Sequence, residues 1–143
     1  MICPVIKKRI NYANDNRDYG RLITKLSTAA LAGDLNSQFL LGSAYLKGEI
    51  IAQDIEKAID WHRMAASHGH AEAQACLGKI YWKEIGAPTD YVQALCWLTL
   101  SAGNKYDGAT RMIDALVALM TFDQVIEGLT LANGFDSAQV ASG

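Results

Sequence analysis

Gln38-Phe39-Leu40-Leu41-Gly42-Ser43-Ala44-Tyr45-Leu46-Lys47 returns 36 residues later as Gln74-Ala75-Cys76-Leu77-Gly78-Lys79-Ile80-Tyr81-Trp82-Lys83. Gln, Leu, Gly, Tyr and Lys keep their places in both copies. In each copy the Gln, Leu, Gly and Tyr stand at i, i+3, i+4 and i+7, which is one face of an α-helix. The same offset pairs Gly33 with Gly69, Asp54 with Asp90, Ala58 with Ala94, Trp61 with Trp97 and Ala66 with Ala102. Ala58, Trp61, Ala65 and Ala66 again share one helical face, so each repeat is a pair of amphipathic helices, A and B. Such a unit buries its apolar faces only against its neighbours, and stacking builds a solenoid.

Turn residues separate the two helices: Gly48 to Gln53 in the first repeat and Gly86-Ala87-Pro88-Thr89 in the second. Asp54 and Asp90 then occupy an N-cap, where a side-chain oxygen accepts from the free N–H groups of helix B. Backwards, the offset reaches Asp18, Ala29 and Ala30, a leading half repeat. Forwards it reaches Ala109 and Ile113 and then decays, as a closing unit does. Glycine in a helix costs about 1 kcal/mol relative to alanine. Gly42 and Gly78 are therefore expected to let helix B approach helix A closely, and Trp61 and Trp97 to fill the space between repeats.

The expected fold is all-α, a right-handed α-solenoid of antiparallel helix pairs. It has two full repeats, a leading half repeat and a divergent C-terminal capping pair. Helices are expected at 18–32, 35–47, 55–68, 71–83, 91–103, 107–119 and 122–132. Residues 1–17 form an N-terminal arm, 18–132 the solenoid domain and 133–143 a flexible tail.

Of the 143 residues half are hydrophobic, enough for one core without metals or disulfides. Thirteen Lys and Arg against 15 Asp and Glu leave a net charge of −2 with no block of like charge, which is not the footprint of a nucleic-acid binder. Cys3, Cys76 and Cys96 are odd in number and lack CxxC spacing, so they read as reduced thiols. Lys7, Lys8 and Arg9 follow a short apolar stretch, the reverse of a secretory signal, and no segment has the ~20 apolar residues of a membrane span. The expected location is the cytoplasm.

The repeats resemble the Sel-one-like repeat family (SLR), relatives of the tetratricopeptide repeats. The first copy carries the resemblance at Gln38, Leu41, Gly42, Tyr45, Gly48, Asp54, Lys57, Ala58, Trp61, Ala65, Ala66 and Gly69. The second carries it at Ala71, Ala73, Gln74, Leu77, Gly78, Tyr81, Gly86, Asp90, Ala94, Trp97 and Ala102. Leu116, Met120, Thr121, Gln124, Glu127, Leu131 and Ala132 look like the closing helices of bacterial members. Each repeat keeps one of the family's two linker glycines, and the third unit has a shorter connection. The resemblance implies a non-enzymatic adaptor or interaction module. In bacteria it also implies an immunity protein that occludes a cognate toxin or effector as one alternative, and a small hydrolase or β-lactam-binding enzyme as another. A cysteine-rich branch of the family has a disulfide in each repeat, but here the first repeat has no cysteine.

Residue chemistry points the same way. His62, His68 and His70 cluster in sequence, yet His62 and His68 are six apart on one helix and face opposite ways, so solvated histidines are expected and no metal site. Cys76 and Cys96 lie beside Leu77 and Trp97, positions for packing thiols more than nucleophiles. Asp18, Asp54 and Asp90 recur one repeat apart, as caps do, and are spread along the solenoid. No catalytic residue and no cofactor are expected.

By analogy with tetratricopeptide solenoids, helix A lines the concave side. Beside its core stripe the first repeat presents Asn36, Phe39, Ser43, Leu46 and Lys47, and the second Glu72, Ala75, Lys79, Trp82 and Lys83. The third unit adds Arg111, Ala115 and Ala118. The expected partner site is Asn36, Phe39, Ser43, Lys47, Glu72, Lys79, Trp82, Lys83 and Arg111, an aromatic pair rimmed by cations that suits a protein or acidic peptide. A competing reading packs Phe39 and Trp82 between neighbouring A helices.

Overall fold

The structure is a computed structural model that describes residues 12–83 and 89–142. Its seven helices, in chain order, are α1 (Tyr12–Leu31), α2 (Leu35–Lys47), α3 (Ile55–Ser67), α4 (Ala71–Trp82), α5 (Tyr91–Gly103), α6 (Ala109–Val117) and α7 (Phe122–Ser142). No strand occurs among the described residues. α2 and α3 are helices A and B of the first repeat, and α4 and α5 those of the second. Each helix from α1 to α5 packs on the next, and α7 returns to lie on α5. The wholly local chain of contacts is that of a stacked repeat.

Repeating residues do repeating work. Asp54 accepts from the N–H of Lys57 at 3.1 Å and Asp90 from that of Gln93 at 3.0 Å, so both cap a helix B. Gly33 and Gly69 end helices B in the left-handed region, φ 99° and 90°, and Lys105 takes the same place after α5 at φ 65°. Lysine tolerates that conformation poorly, which marks the decay of the repeat. A Cβ on Gly42 would lie 3.2 Å from the carbonyl oxygen of Ala58 and from the His62 ring. One on Gly78 would lie 2.6 Å from Leu98 Cγ. Ala58 and Ala94, and likewise His62 and Leu98, are one repeat apart, so the glycines permit close helix approach at matching points.

The main core runs between repeats through Ala65, Ala66, Ala73, Leu77, Ile80, Trp97 and Leu100, with Ala132 joining from α7. A second cluster of Ala94, Leu95, Leu98 and Leu116 joins α5 to α6. Trp97 is buried and meets Phe135 edge-on at 5.5 Å, whereas Trp61 is only half-buried.

The structure revises several expectations. α1 begins by Tyr12, because no Gly or Pro interrupts residues 12–18. Asp18 therefore lies inside a helix and not at its start. Residues 1–11 of the expected arm, and Gly86-Ala87-Pro88 of the second turn, lie outside the described residues. α7 passes 132 and runs to Ser142, with no proline to stop it and with Phe135 edge-on to Trp97. A capping box starts α7. Thr121 N–H donates to Gln124 Oε1 at 2.9 Å, and Gln124 N–H donates to Thr121 Oγ1 at 3.3 Å.

Candidate interaction surface

α2 and α4, the two A helices, are joined through His70. Its Nδ1 accepts the N–H of Ala73 at 3.2 Å and so caps α4, leaving the proton on Nε2, which donates to Asn36 Oδ1 at 2.8 Å. The His70 ring stacks on Phe39 with centroids 4.9 Å apart and planes 22° apart. On its other side Phe39 meets the His62 ring at 5.5 Å. Asn36 and Phe39 thus hold one repeat to the next, and Phe39, half-buried against the main core, is not a free aromatic anchor. Trp82 likewise packs against the second cluster, with the Lys83 ammonium 5.6 Å from its ring. Both aromatics are partly buried in these contacts.

His62 is not solvated. It is fully buried, neither ring nitrogen has a hydrogen-bond partner among the described residues, and burial pushes its pKa down to about 4, with a smaller push from His70. Among the described residues no three His, Cys, Asp or Glu side chains come together as metal ligands do.

The charged members of the expected site fare differently. Lys47, Glu72, Lys79 and Lys83 are exposed. Lys47 from α2 and both Glu72 and Lys79 from α4 lie near enough to act on one thiol, Cys76. Burial raises the pKa of Cys76, Glu72 adds to the rise, and the two lysines oppose it. The thiol is held protonated, which suits packing more than nucleophilic attack. The charges of Lys47, Glu72 and Lys79 therefore all bear on a half-buried cysteine, and Lys83 is exposed at the end of α4.

Ser43 and Arg111 border other surfaces. Ser43 and Lys47 also border a groove of about 240 Å³ with Leu22, Leu26, Leu40 and Ile50, between α1 and α2. Arg111 lines a separate groove of about 620 Å³ with Lys105, Tyr106 and Asp107. Sequence reasoning missed the α1–α2 groove. The repeat offset carried the signal, since Leu22 and Leu26 stand one repeat before Ala58 and His62.

This architecture defines an α-solenoid of stacked helix pairs. The chain is a Sel1-like repeat protein: the family description "Sel1 repeat" matches residues 35–70 and 71–105. It is similar to a protective antigen present in uropathogenic Escherichia coli strains, whose crystal structure displays an SLR fold. The two are 30% identical with a TM-score of 0.76, over 86% of this chain and 28% of that one. A Sel1 repeat protein from Oxalobacter formigenes is 32% identical with a TM-score of 0.61, over 64% of this chain and 36% of that one. The chain thus spans well under half the length of either. No curated protein matches it by sequence. Sel1 repeat proteins generally mediate protein–protein interaction, and their fold is typically a non-enzymatic scaffold. Among the described residues no helix is long and apolar enough to cross a membrane.

Proposed function

We propose that this chain is a protein-binding module that holds an acidic partner along the A helices. The observation that carries this reading is that exposed Lys47 of α2 and exposed Glu72 and Lys79 of α4 all bear electrostatically on Cys76, with Lys83 exposed at the end of α4. Three cations and one carboxylate on a rigid pair of helices offer a mixed but mainly basic strip. Rigid presentation lowers the ordering cost of binding, and charge complementarity speeds encounter. Phe39 and Asn36 serve the strip indirectly by fixing α2 against α4 through His70. Ser43 and Arg111 lie on neighbouring surfaces and contribute to recognition only if the partner is broad. An immunity role is this same reading with a toxin as the partner.

The test is capture of partners from the native host by the wild-type chain and by a Lys47→Glu, Lys79→Glu, Lys83→Glu variant with unchanged melting temperature. The expected result is a wild-type partner whose association rate falls steeply with salt and which the triple variant fails to retain. A partner that binds both proteins equally would move recognition off the A helices.

A further inference from the structure

The closing unit of a solenoid needs a polar outer face. α7 departs from that rule. Gly128, Ala132 and Phe135 turn toward α5: a Cβ on Gly128 would lie 3.0 Å from Leu95, and Ala132 and Phe135 pack with the main core. About 100° or more round the helix from them, Phe122, Ile126 and Leu129 stand at i, i+4 and i+7 and form a ridge over two turns. They are 78%, 48% and 45% exposed, and Leu119, in the turn before α7, is 57% exposed. Single apolar side chains scattered on a surface are ordinary, but four along one edge mark an interaction site.

Charge narrows the partner. All 13 Lys and Arg of the chain fall within residues 1–111, whereas 112–143 hold Asp114, Asp123, Glu127 and Asp136 and no base. Asp123 and Glu127 lie one turn apart along a flank of the ridge, and both are exposed, as is Asp114 on α6. This end of the molecule repels an anionic membrane or a nucleic acid, and it repels the same ridge of a second copy, which carries the same carboxylates. We infer that α7 docks an amphipathic helix of another protein, one whose apolar face is bordered by Lys or Arg. The ridge favours a helix as its complement, because apolar residues at i, i+3, i+4 and i+7 of a partner helix lie over it along the same length of about 10 Å. This surface is apart from the A-helix strip and opposite in charge, so the two select partners of opposite sign.

The probe is a synthetic peptide of about 18 residues, long enough to hold a helix in water, with leucine along one face and lysine along both flanks. Fluorescence anisotropy should show it binding the full chain, and a control peptide with glutamate for every lysine binding about tenfold more weakly or worse. Phe122→Ser with Ile126→Ser should weaken the basic peptide by about tenfold or more. Asp123→Lys with Glu127→Lys should reverse the preference and take the acidic peptide instead. The Lys47→Glu, Lys79→Glu, Lys83→Glu variant should bind the basic peptide no more weakly than wild type. The side chains replaced on α7 are all exposed, so melting temperatures should stay close to wild type. In the unaltered chain, amide NMR shifts on adding the basic peptide should move first at 119–130. Shifts confined to other helices, equal affinity for the two peptides, or wild-type binding by the Phe122→Ser, Ile126→Ser variant would overturn the proposal. So would a wild-type dimer in sedimentation that this variant abolishes, because the occupant would then be a second copy.

Discussion

Gln74 donates its side-chain N–H to the carbonyl oxygen of Ala66 at 3.0 Å, across the junction between the repeats. Ala66 lies in the last turn of α3, where helix carbonyls have no partner within the helix. Gln38 does the same for Ala30 at 3.0 Å, one repeat earlier. Each of these carbonyls also accepts a backbone N–H, Ala66 from Gly69 and Ala30 from Gly33, both at 3.1 Å, so the recurring glutamine is explained by the second lone pair of a terminal carbonyl at a buried junction. Gln74 also accepts from Asn104 Nδ2 at 3.0 Å, whereas Gln38 Oε1 has no partner among the described residues.

That difference gives a first prediction. Gln74→Leu removes two hydrogen bonds, one to the Ala66 carbonyl, which keeps the Gly69 N–H, and one from the exposed Asn104 amide, and should cost about 1–3 kcal/mol at a net ~0.5–1.5 kcal/mol per bond. Gln38→Leu removes one such bond, from a carbonyl that keeps the Gly33 N–H, together with an oxygen that has no partner among the described residues, so its cost should be smaller. Urea unfolding of both variants checks the order. Equal losses would mean that the Asn104 contact adds nothing.

A second prediction concerns pH. His62 packs against Gly42 and Phe39, with His70 the neighbouring titratable group. Its pKa falls from 6.5 unfolded to about 4 folded, so the folded state resists protonation. Stability from this group is fully present above about pH 6.5 and is lost as pH falls toward 4, a total of about 3 kcal/mol by linkage. His62→Leu copies Leu98, its counterpart in the second repeat, and should flatten the melting temperature between pH 6.5 and 4. An equally steep decline in the variant would assign the acid sensitivity to other groups.

Close helix approach supplies the third. Any side chain at Gly78 meets Leu98 at once, since even a Cβ would sit 2.6 Å from its Cγ. Gly78→Leu should therefore destabilise by more than about 2 kcal/mol through overpacking. A melt within a degree or two of wild type would show that α4 and α5 can separate freely there.

Helix pairs, caps and core glycines were legible because the repeat samples each environment twice: a residue that recurs at the same offset reveals a shared constraint. His62 was not legible for the same reason. It has no histidine counterpart, and its burial depends on Gly42 and Phe39 from another helix. Site aromatics Phe39 and Trp82 occupy positions where Ala75 and Leu46 stand in the other repeat, so spacing could not tell a packed ring from an exposed one. Exposed lysines were easier to read, because burying an unpaired ammonium is costly wherever the helix turns.

The last prediction tests the end of the chain, where the small and polar composition after Asn133 suggested a loose tail and the structure places helix. Trp97 joins the two halves of that question. Its ring is buried between the second repeat and α7, with Phe135 edge-on at 5.5 Å and Ala132 in the same cluster. Trp97→Ala should cost about 3–5 kcal/mol, as for a large ring removed from a packed core. Phe135→Ala should cost less, because Phe135 is only half-buried, but the two losses should not add. Aromatic pairs of this kind couple by about 0.5–1.5 kcal/mol, so the double variant should be that much more stable than the sum of the single losses implies. Urea unfolding of the four proteins in the cycle measures it. A Phe135→Ala variant as stable as wild type, together with strictly additive losses, would mean that α7 does not dock beyond Ala132 and that Trp97 is covered by α4 and α5 alone.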